Sequence, residues 1–253
     1  MNEPLSLIVP AYNERDRLPR ALVTLRAFVA LRAVPGDEVI VVDDGSTDGT
    51  AELVEGSARS WPALRLIRLP RNRGKGAAVR AGVAASCGRV IAFADADLAV
   101  DLRILEILLE DLRFADVAIA SRAVPGALLL RRQGLGRESL GRLYSRVARL
   151  VLLRGIPDAH CGLKAFRADA AKAIFARLRE DGVMFDSEAM LVAARQGRPM
   201  TQRPAEWTHD PDSRIRMTVG TVGTILTGII RLKLRHRTFW PPAVRDVTPG
   251  AAR

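Results

Sequence analysis

Short apolar segments that alternate with helix-forming segments constrain the fold of this chain more than any other feature. Buried strands are predicted at 5–9, 38–42, 64–69, 89–94 and 116–120, because these runs are rich in aliphatic residues and end at polar or turn residues. Helices are predicted between them, at 18–31, 50–60, 77–86 and 102–112. Such alternation predicts an α/β fold with a mostly parallel central sheet that helices cover on both faces.

The composition fits a globular enzyme. Of the 253 residues, 48% are hydrophobic and 26% are charged, which excludes a disordered chain and allows one large α/β domain or two small ones. Cys87 and Cys161 have no paired spacing, so a disulfide framework and a zinc site are excluded. The first residues lack the basic and apolar regions of a secretory signal, so we expect the chain on the cytosolic side.

Basic residues are concentrated near the C-terminus. The net charge is +11, and residues 213–253 contain eight Lys or Arg residues and one acid. This favours an anionic partner, and few aromatic residues and no recognised module disfavour nucleic acid. The apolar run 217–234 has only 14 residues between Met217 and Arg231, short of the ~20 that a membrane span needs. A helix lying in the membrane interface and a helix packed on the core both remain open.

Polar signatures follow the predicted strands at 10–14, 43–48, 95–97 and 121–122. In open parallel sheets, ligands bind at the carboxyl ends of the strands. We therefore expect these four segments to form one site.

The pair Asp95 and Asp97 follows a strand at a turn. Carboxylate oxygens suit a hard divalent cation, so Mg²⁺ or Mn²⁺ is predicted here, where it would bridge the diphosphate of a leaving nucleotide. Asp43 and Asp44 are predicted to contact the base or the ribose, whereas nearby Asp48 and Thr50 are assigned to turn and cap hydrogen bonds.

Two further groups could bind phosphate. Gly74-Lys75-Gly76 lacks the spacing of a P-loop, yet Lys75 could contact an anion at a helix start. A guanidinium grips phosphate oxygens in a bidentate way, and several arginines are candidates. Arg122 directly follows a strand and ranks above the loop arginines, which are Arg131, Arg132, Arg137 and Arg142.

The motifs resemble those of family 2 glycosyltransferases with the GT-A fold. The resemblance covers roughly residues 4–215 and rests on the segments 8–14, 41–49, 72–76 and 94–97 in order and spacing. Later segments, at 120–122, 158–167, 185–188, 206–207 and 213–214, resemble the dolichyl/polyprenyl-phosphate sugar transferases. The Cys-Gly-x-Lys-x-Phe stretch at 161–166 is most similar to the dolichyl-phosphate β-glucosyltransferase branch.

The resemblance implies roles for individual residues. Those implied for the nucleotide-sugar are Pro10, Tyr12, Glu14, Asp43, Asp44, Lys75, Asp95 and Arg214, the last as a clamp on the diphosphate. Asp95 and Asp97 would hold the metal. The acceptor would be bound by Arg122 together with Arg131 or Arg132, by Lys164 beside Asp158, and by Glu188 on a flanking helix. Asp97, Asp158 and Arg122 are the catalytic candidates, with Asp158 either a base or a positioning group.

The implied reaction is an inverting, metal-dependent transfer of glucose from UDP-glucose to a polyprenyl or dolichyl monophosphate. Mannosyl transfer from GDP-mannose, a soluble hydroxyl acceptor and a non-catalytic nucleotide-sugar binder remain alternatives. The expected organisation is a catalytic domain at 1–215, an apolar and basic helix at 216–237 and a flexible tail at 238–253. Because the apolar run is short, we expect peripheral attachment to the cytoplasmic face of a membrane.

Overall fold

The computed structural model describes residues 2–129, 156, 158–207, 219–236 and 245–248. The first half of the chain alternates strands and helices: β1 (Leu5–Ala11), α1 (Leu18–Arg32), β2 (Glu38–Asp43), α2 (Thr50–Ala58), β3 (Leu64–Arg68), α3 (Lys75–Ala85), β4 (Val90–Ala94), α4 (Arg103–Asp111) and β5 (Val117–Ser121). The described elements of the second half are β6 (Leu128–Leu129), β7 (Leu163–Arg167), α5 (Ala168–Phe175), α6 (Phe185–Arg195), β8 (Pro199–Pro204), β9 (Glu206–Trp207), α7 (Val219–Arg235) and β10 (Arg245–Asp246).

The central sheet has the strand order β10-β8-β5-β7-β4-β1-β2-β3. All neighbouring strands are parallel except β7, which runs antiparallel to both β4 and β5. The predicted mostly parallel sheet is confirmed. A separate pair, β6 and β9, lies beside the site end of the sheet.

Apolar residues that alternate along the strands separate two cores. On β1, Leu7 and Val9 pack with α1 and α4, whereas Ile8 packs on the other face with α3, α5 and α6. Successive strand side chains point to opposite faces, so a run that is apolar at every position needs a helical layer on each side. The expected covering of both faces is confirmed.

β7 is the largest difference from the sequence analysis, which predicted no strand between 121 and 167. Its residues 163–166 are completely or almost completely buried in the centre of the sheet. The strand is short and contains a lysine, so its pattern is weak. Lys164 is tolerated there because its ammonium is paired inside the protein. β8 was also absent from the prediction.

α7 (Val219–Arg235) packs on the core along one side and is exposed along the other, so core packing is observed and the membrane-interface interpretation stays a prediction. Ile229 and Leu232 are buried in the core, whereas Ile230 is 58% and Leu234 is 72% exposed. Among the described residues, no helix combines the length and the hydropathy needed to span a bilayer. The apolar spacing of residues 143–153 also predicts a helix, and these residues lie outside the described part of the chain.

The predicted flexible tail is partly ordered at the edge of the sheet. β10 pairs in parallel with β8, and Val247 N donates to Met200 O at 2.9 Å. The Thr248 hydroxyl accepts a hydrogen bond from Gln202 N at 2.7 Å. For 245–248, the expectation of a flexible tail is therefore wrong, because β8 offers an edge with free backbone groups.

Candidate active site

The loops after β1 and β2 are tied to each other. Asn13 N donates to Ser46 Oγ at 2.8 Å, and Thr47 N donates to Asn13 Oδ1 at 2.9 Å. Asn13 adopts a left-handed backbone with φ 54°, which asparagine tolerates better than most residues. Beside it, Tyr12 is 40% exposed at the end of β1, which runs through Pro10.

Neighbouring polar groups of these loops have internal partners. The Glu14 carboxylate forms two hydrogen bonds with the Arg17 guanidinium, at 2.6 and 2.7 Å. Asp48 Oδ1 accepts from both the N–H and the hydroxyl of Thr50, which confirms their predicted turn role. The predicted contact of Glu14 with the nucleotide would therefore compete with Arg17.

Asp43 and Asp44 have different tasks. Asp44 accepts hydrogen bonds from Arg73 N at 2.9 Å and Gly74 N at 2.7 Å, so it holds the loop before α3. Burial, the strongest influence, raises its pKa in spite of these bonds. Asp43 is completely buried, and its Oδ2 has no hydrogen-bond partner within the described residues, although Arg68 Nε lies 3.4 Å away. Asp43 Oδ2 thus lies in an ion pair with Arg68 and accepts no hydrogen bond, whereas Asp44 is engaged with the backbone.

The start of α3 is closed rather than open to an anion. Gly76 N donates to Asp181 O at 2.7 Å, and Ala77 N shares the same carbonyl at 3.3 Å. A Cβ on Gly76 would lie 2.6 Å from Glu180 O, so glycine is needed for this close approach. Another loop therefore occupies these two N–H groups, and the predicted anion contact of Lys75 stays a prediction.

The Lys75 side chain points to the Asp-x-Asp turn instead. Its ammonium forms an ion pair with Asp95 Oδ1, and Asp95 N donates to Gly162 O at 3.2 Å. Burial lowers the pKa of Lys75, but the carboxylates of Asp95 and Asp186 outweigh that and raise it. Lys75 therefore stays charged. Asp97 Oδ1 accepts a hydrogen bond from Ala99 N at 3.1 Å, which orders the turn.

The turn offers a suitable donor set for Mg²⁺ or Mn²⁺. Within the described residues there is no group of three or more His, Cys, Asp or Glu side chains arranged for a metal. Mg²⁺ is commonly bound by one or two carboxylates together with substrate phosphates. Asp95, whose side chain is 37% exposed, and Asp97 meet that requirement and leave positions for a diphosphate.

Arg122 and Asp158 form a bidentate ion pair at the end of β5. Asp158 Oδ2 accepts from Arg122 Nε at 2.7 Å and from its backbone N at 2.9 Å, and Oδ1 accepts from Nη2 at 2.9 Å. Burial raises the pKa of Asp158, but the Arg122 charge outweighs it and lowers the pKa to about 2. The guanidinium also lies 5.6 Å from the centre of the Trp207 ring. Asp158 is thus an ionised carboxylate that fixes Arg122.

Lys164 is inside the protein. Its Nζ donates to Asp186 Oδ1 at 2.6 Å and to Cys161 O at 2.7 Å, and the side chain is completely buried. This internal pairing competes with the predicted contact of Lys164 with the acceptor, which stays a prediction. Lys164 holds the loop 158–162, which carries Asp158.

Glu188 is also directed inward. Its Oε2 accepts from Arg179 N at 2.9 Å and Glu180 N at 2.8 Å, and His236 Nε2 lies 2.9 Å from its Oε1. The carboxylate is completely buried, and the predicted place of Glu188 on the acceptor pocket stays a prediction. Glu188 joins α6 to the end of α7.

With this geometry in place, the comparison with family models decides the family. The model described as "Glycosyl transferase family 2" matches residues 6–175. The chain belongs to glycosyl transferase family 2.

Relatives of this family 2 chain include proteins named dolichyl-phosphate beta-glucosyltransferase. That of Drosophila melanogaster is 35% identical over 83% of this chain and 69% of its own length. ALG5C of Trichomonas vaginalis is 34% identical over 84% of this chain and 66% of its own, and the Homo sapiens protein is 32% identical over 83% and 69%. The chain spans about two thirds of the length of these curated relatives. The resemblance inferred from the motifs is confirmed.

Solved structures confirm the GT-A fold of this family 2 chain. Glucosyl-3-phosphoglycerate synthase from Mycobacterium tuberculosis, in complex with Mg²⁺ and UDP, has a TM-score of 0.64 at 18% identity, over 92% of this chain and 79% of that one. TarS of S. aureus, in complex with UDP-GlcNAc, has a TM-score of 0.57 at 18% identity, over 91% and 66%.

Sequence reasoning about this family 2 site missed several residues. Gly162, Asp181 and Asp186 act by packing or by pairing with distant residues, although Gly162 stands within a recognised motif. Trp207 also stands in a recognised motif, but its contact with Arg122 depends on the tertiary fold. Arg131, Arg132, Arg137, Arg142 and Arg214 lie outside the described residues, so their roles stay predictions.

Proposed function

We propose that this protein is an inverting glucosyltransferase that moves glucose from UDP-glucose to a dolichyl or other polyprenyl monophosphate. The observation that carries the proposal is the pairing of two charge clusters at one sheet edge: Asp95 with Asp97 after β4, and Arg122 with Asp158 after β5. The first suits a metal-bound diphosphate and the second suits an anionic acceptor. The names of the relatives support glucose and dolichyl phosphate as the transferred sugar and the acceptor.

The donor end of the site would hold a nucleoside diphosphate and Mg²⁺ or Mn²⁺. When bound, the metal supplies positive charge that neutralises the leaving diphosphate. Asp95 and Asp97 would hold it, Asp43 would accept a hydrogen bond from the base or ribose through Oδ2, and Tyr12 would pack nearby. Arg214 would clamp the diphosphate.

The acceptor end would position a phosphate without a general base. A phosphate monoester is anionic at neutral pH, so its oxygen can attack the anomeric carbon directly. Asp158 keeps a pKa of about 2 and is fixed by Arg122, which makes it a poor proton acceptor and a good positioning group. Arg122 would orient the phosphate, with Arg131 or Arg132 beside it.

This arrangement disfavours the alternative of a soluble hydroxyl acceptor. A hydroxyl must lose its proton to become a good nucleophile, and that needs a base near the operating pH. Asp158 does not meet this condition. Mannosyl transfer from GDP-mannose to the same lipid differs only in the donor, and a comparison of donors decides it.

The exposed side of α7 would rest on the cytoplasmic face of a membrane. Ile230 and Leu234 project apolar surface, and Arg231 and Lys233 supply positive charge beside them. Apolar and basic residues on one helix are typical of interfacial binding. We keep 1–215 as the catalytic domain and 216–237 as the attachment helix, although Ile229 and Leu232 anchor that helix to the core.

A radiolabel transfer assay tests the proposal. UDP-glucose and GDP-mannose are offered separately with Mg²⁺ or Mn²⁺, with and without a polyprenyl phosphate. Label from UDP-glucose should enter the organic phase only when lipid is present, and Asp97→Ala should abolish this. Asp169→Ala is the matched control, because Asp169 lies in the first turn of α5 at the opposite end of the strands and is 68% exposed. Label that stays aqueous with both donors would refute the lipid acceptor.

A further inference from the structure

Lys75 has a fixed backbone and a long, movable side chain. It is the first residue of α3, and the neighbouring Gly76 N is tied to Asp181 O at 2.7 Å. The ammonium lies 5.5 Å from the Phe185 ring centre and 5.8 Å from that of Phe93, and the side chain is 28% exposed. It therefore sits where the aromatic interior meets the site.

Its partner Asp95 is held more tightly. The backbone N of Asp95 is bound to Gly162 O, and a Cβ on Gly162 would come within 2.6 Å of Asp95 Cγ, so the carboxylate packs directly on that glycine. Asp95 has two side-chain torsions and Lys75 has four. If the ion pair opens, the ammonium is the group that can move.

A divalent ion bound to Asp95 would share one carboxylate with the ammonium. Two groups that share one carboxylate lie close together, so the divalent ion and the Lys75 ammonium repel each other. Even in a water-like dielectric, this repulsion would weaken metal binding by about ten-fold or more. The diphosphate of the donor brings negative charge to the same place.

We propose that Lys75 is a resident counterion that neutralises Asp95 in the unloaded enzyme and transfers to the donor diphosphate when metal and nucleotide bind. This inference rests on the proposed donor chemistry. It makes metal and nucleotide binding mutually dependent, because each is favoured when Lys75 leaves Asp95. Lys75 then acts twice: it protects Asp95 from unproductive metal binding and it helps to hold the diphosphate.

Binding measurements on the full chain test this without turnover. Free Mn²⁺ is followed by its electron paramagnetic resonance signal, and UDP binding is measured by calorimetry with and without Mn²⁺. Lys75→Gln should bind Mn²⁺ at least about ten-fold more tightly in the absence of nucleotide. It should also lose the part of the Mn²⁺-dependent gain in UDP affinity that comes from Lys75, so that the gain is measurably smaller than in the wild type. Lys75→Arg keeps the charge and should stay near the wild type, as should Lys172→Gln, which removes an exposed lysine on α5.

The outcomes separate the inference from the proposed function. Equal Mn²⁺ affinity in Lys75→Gln and Lys172→Gln overturns the counterion role. Tighter Mn²⁺ binding with an unchanged gain in UDP affinity overturns the transfer, since Lys75 then never reaches the diphosphate. A wild type that binds no UDP in the presence of Mn²⁺ refutes the donor class itself, and the transfer with it. Thermal unfolding of each variant confirms that the compared proteins are folded.

Discussion

Replacing Gly162 by alanine tests whether the backbone of the 158–162 loop sets the position of the metal carboxylate. The new methyl group would lie 2.6 Å from Asp95 Cγ and closer still to Oδ2, whereas real Cβ atoms almost never approach within 3.0 Å. The glycine has no left-handed φ that would add backbone strain. The clash is therefore with the Asp95 side chain, which must move.

The size of the effect follows from this geometry. Relief of the clash needs a shift of about 1 Å, and misplacing a catalytic group by that amount costs about 100-fold in rate. The Asp95 side chain is 37% exposed, so the forced shift displaces few packed core atoms. In a packed core, an added methyl group of this kind lowers the free energy of unfolding by about 1–3 kcal/mol. We expect the lower end of that range here, because Asp95 is partly exposed.

The assay pairs glucose transfer to polyprenyl phosphate with thermal unfolding. Gly162→Ala should lose about 100-fold in kcat/KM while its Tm falls by only about 2–4 °C. The matched control is Gly182→Ala, because a Cβ there meets nothing within 4 Å. Full activity of Gly162→Ala would refute the reasoning. A large fall in Tm with an unchanged kcat/KM of the folded protein would show that the loop serves stability alone.

Two further substitutions, with a third as control, test the remaining contacts. Asp158 has a folded-state pKa of about 2, which is below its unfolded value. Its ionised form therefore adds about 2 kcal/mol to the free energy of unfolding above pH 4, and this contribution is lost as the pH falls toward 2. When the free energy of unfolding of Asp158→Asn is measured across this range, its dependence on pH should be weaker by that amount. Gly76→Ala should lower the free energy of unfolding by about 1–3 kcal/mol, because its Cβ would lie 2.6 Å from the immobile carbonyl of Glu180. Gly56→Ala, which meets nothing within 4 Å, should instead gain about 0.5–1 kcal/mol in the same denaturant titration.

The local sequence pattern was sufficient to predict a residue's role wherever that role depends only on the residue's own strand or turn. Apolar runs at every position predicted buried parallel strands, and the polar ends of those strands predicted the site edge. Asp48 is an example at the scale of one residue, since its bonds to Thr50 stay within two positions of the chain. The motifs at 8–14, 41–49, 72–76 and 94–97, taken together, were also sufficient to indicate the family.

The contacts that the sequence analysis did not predict join residues that are far apart in the sequence. Lys164 reaches Asp186 across 22 positions, and Glu188 reaches His236 across 48, so neither partner can be read from neighbouring residues. A lysine or glutamate in a functional motif suggests a ligand contact, but burial decides whether its charge faces a ligand or an internal partner.

The sequence by itself determined the α/β class, the parallel strands, the Asp-x-Asp turn and the family, because these depend on periodicity and on motifs of a few residues. Only the tertiary structure decided that β7 enters the sheet antiparallel, that Asp181 closes the start of α3 and that Lys75 pairs with Asp95. Those facts arise where segments distant in the chain compete for the same buried space and the same hydrogen-bonding groups, and that competition is settled only when the whole chain packs.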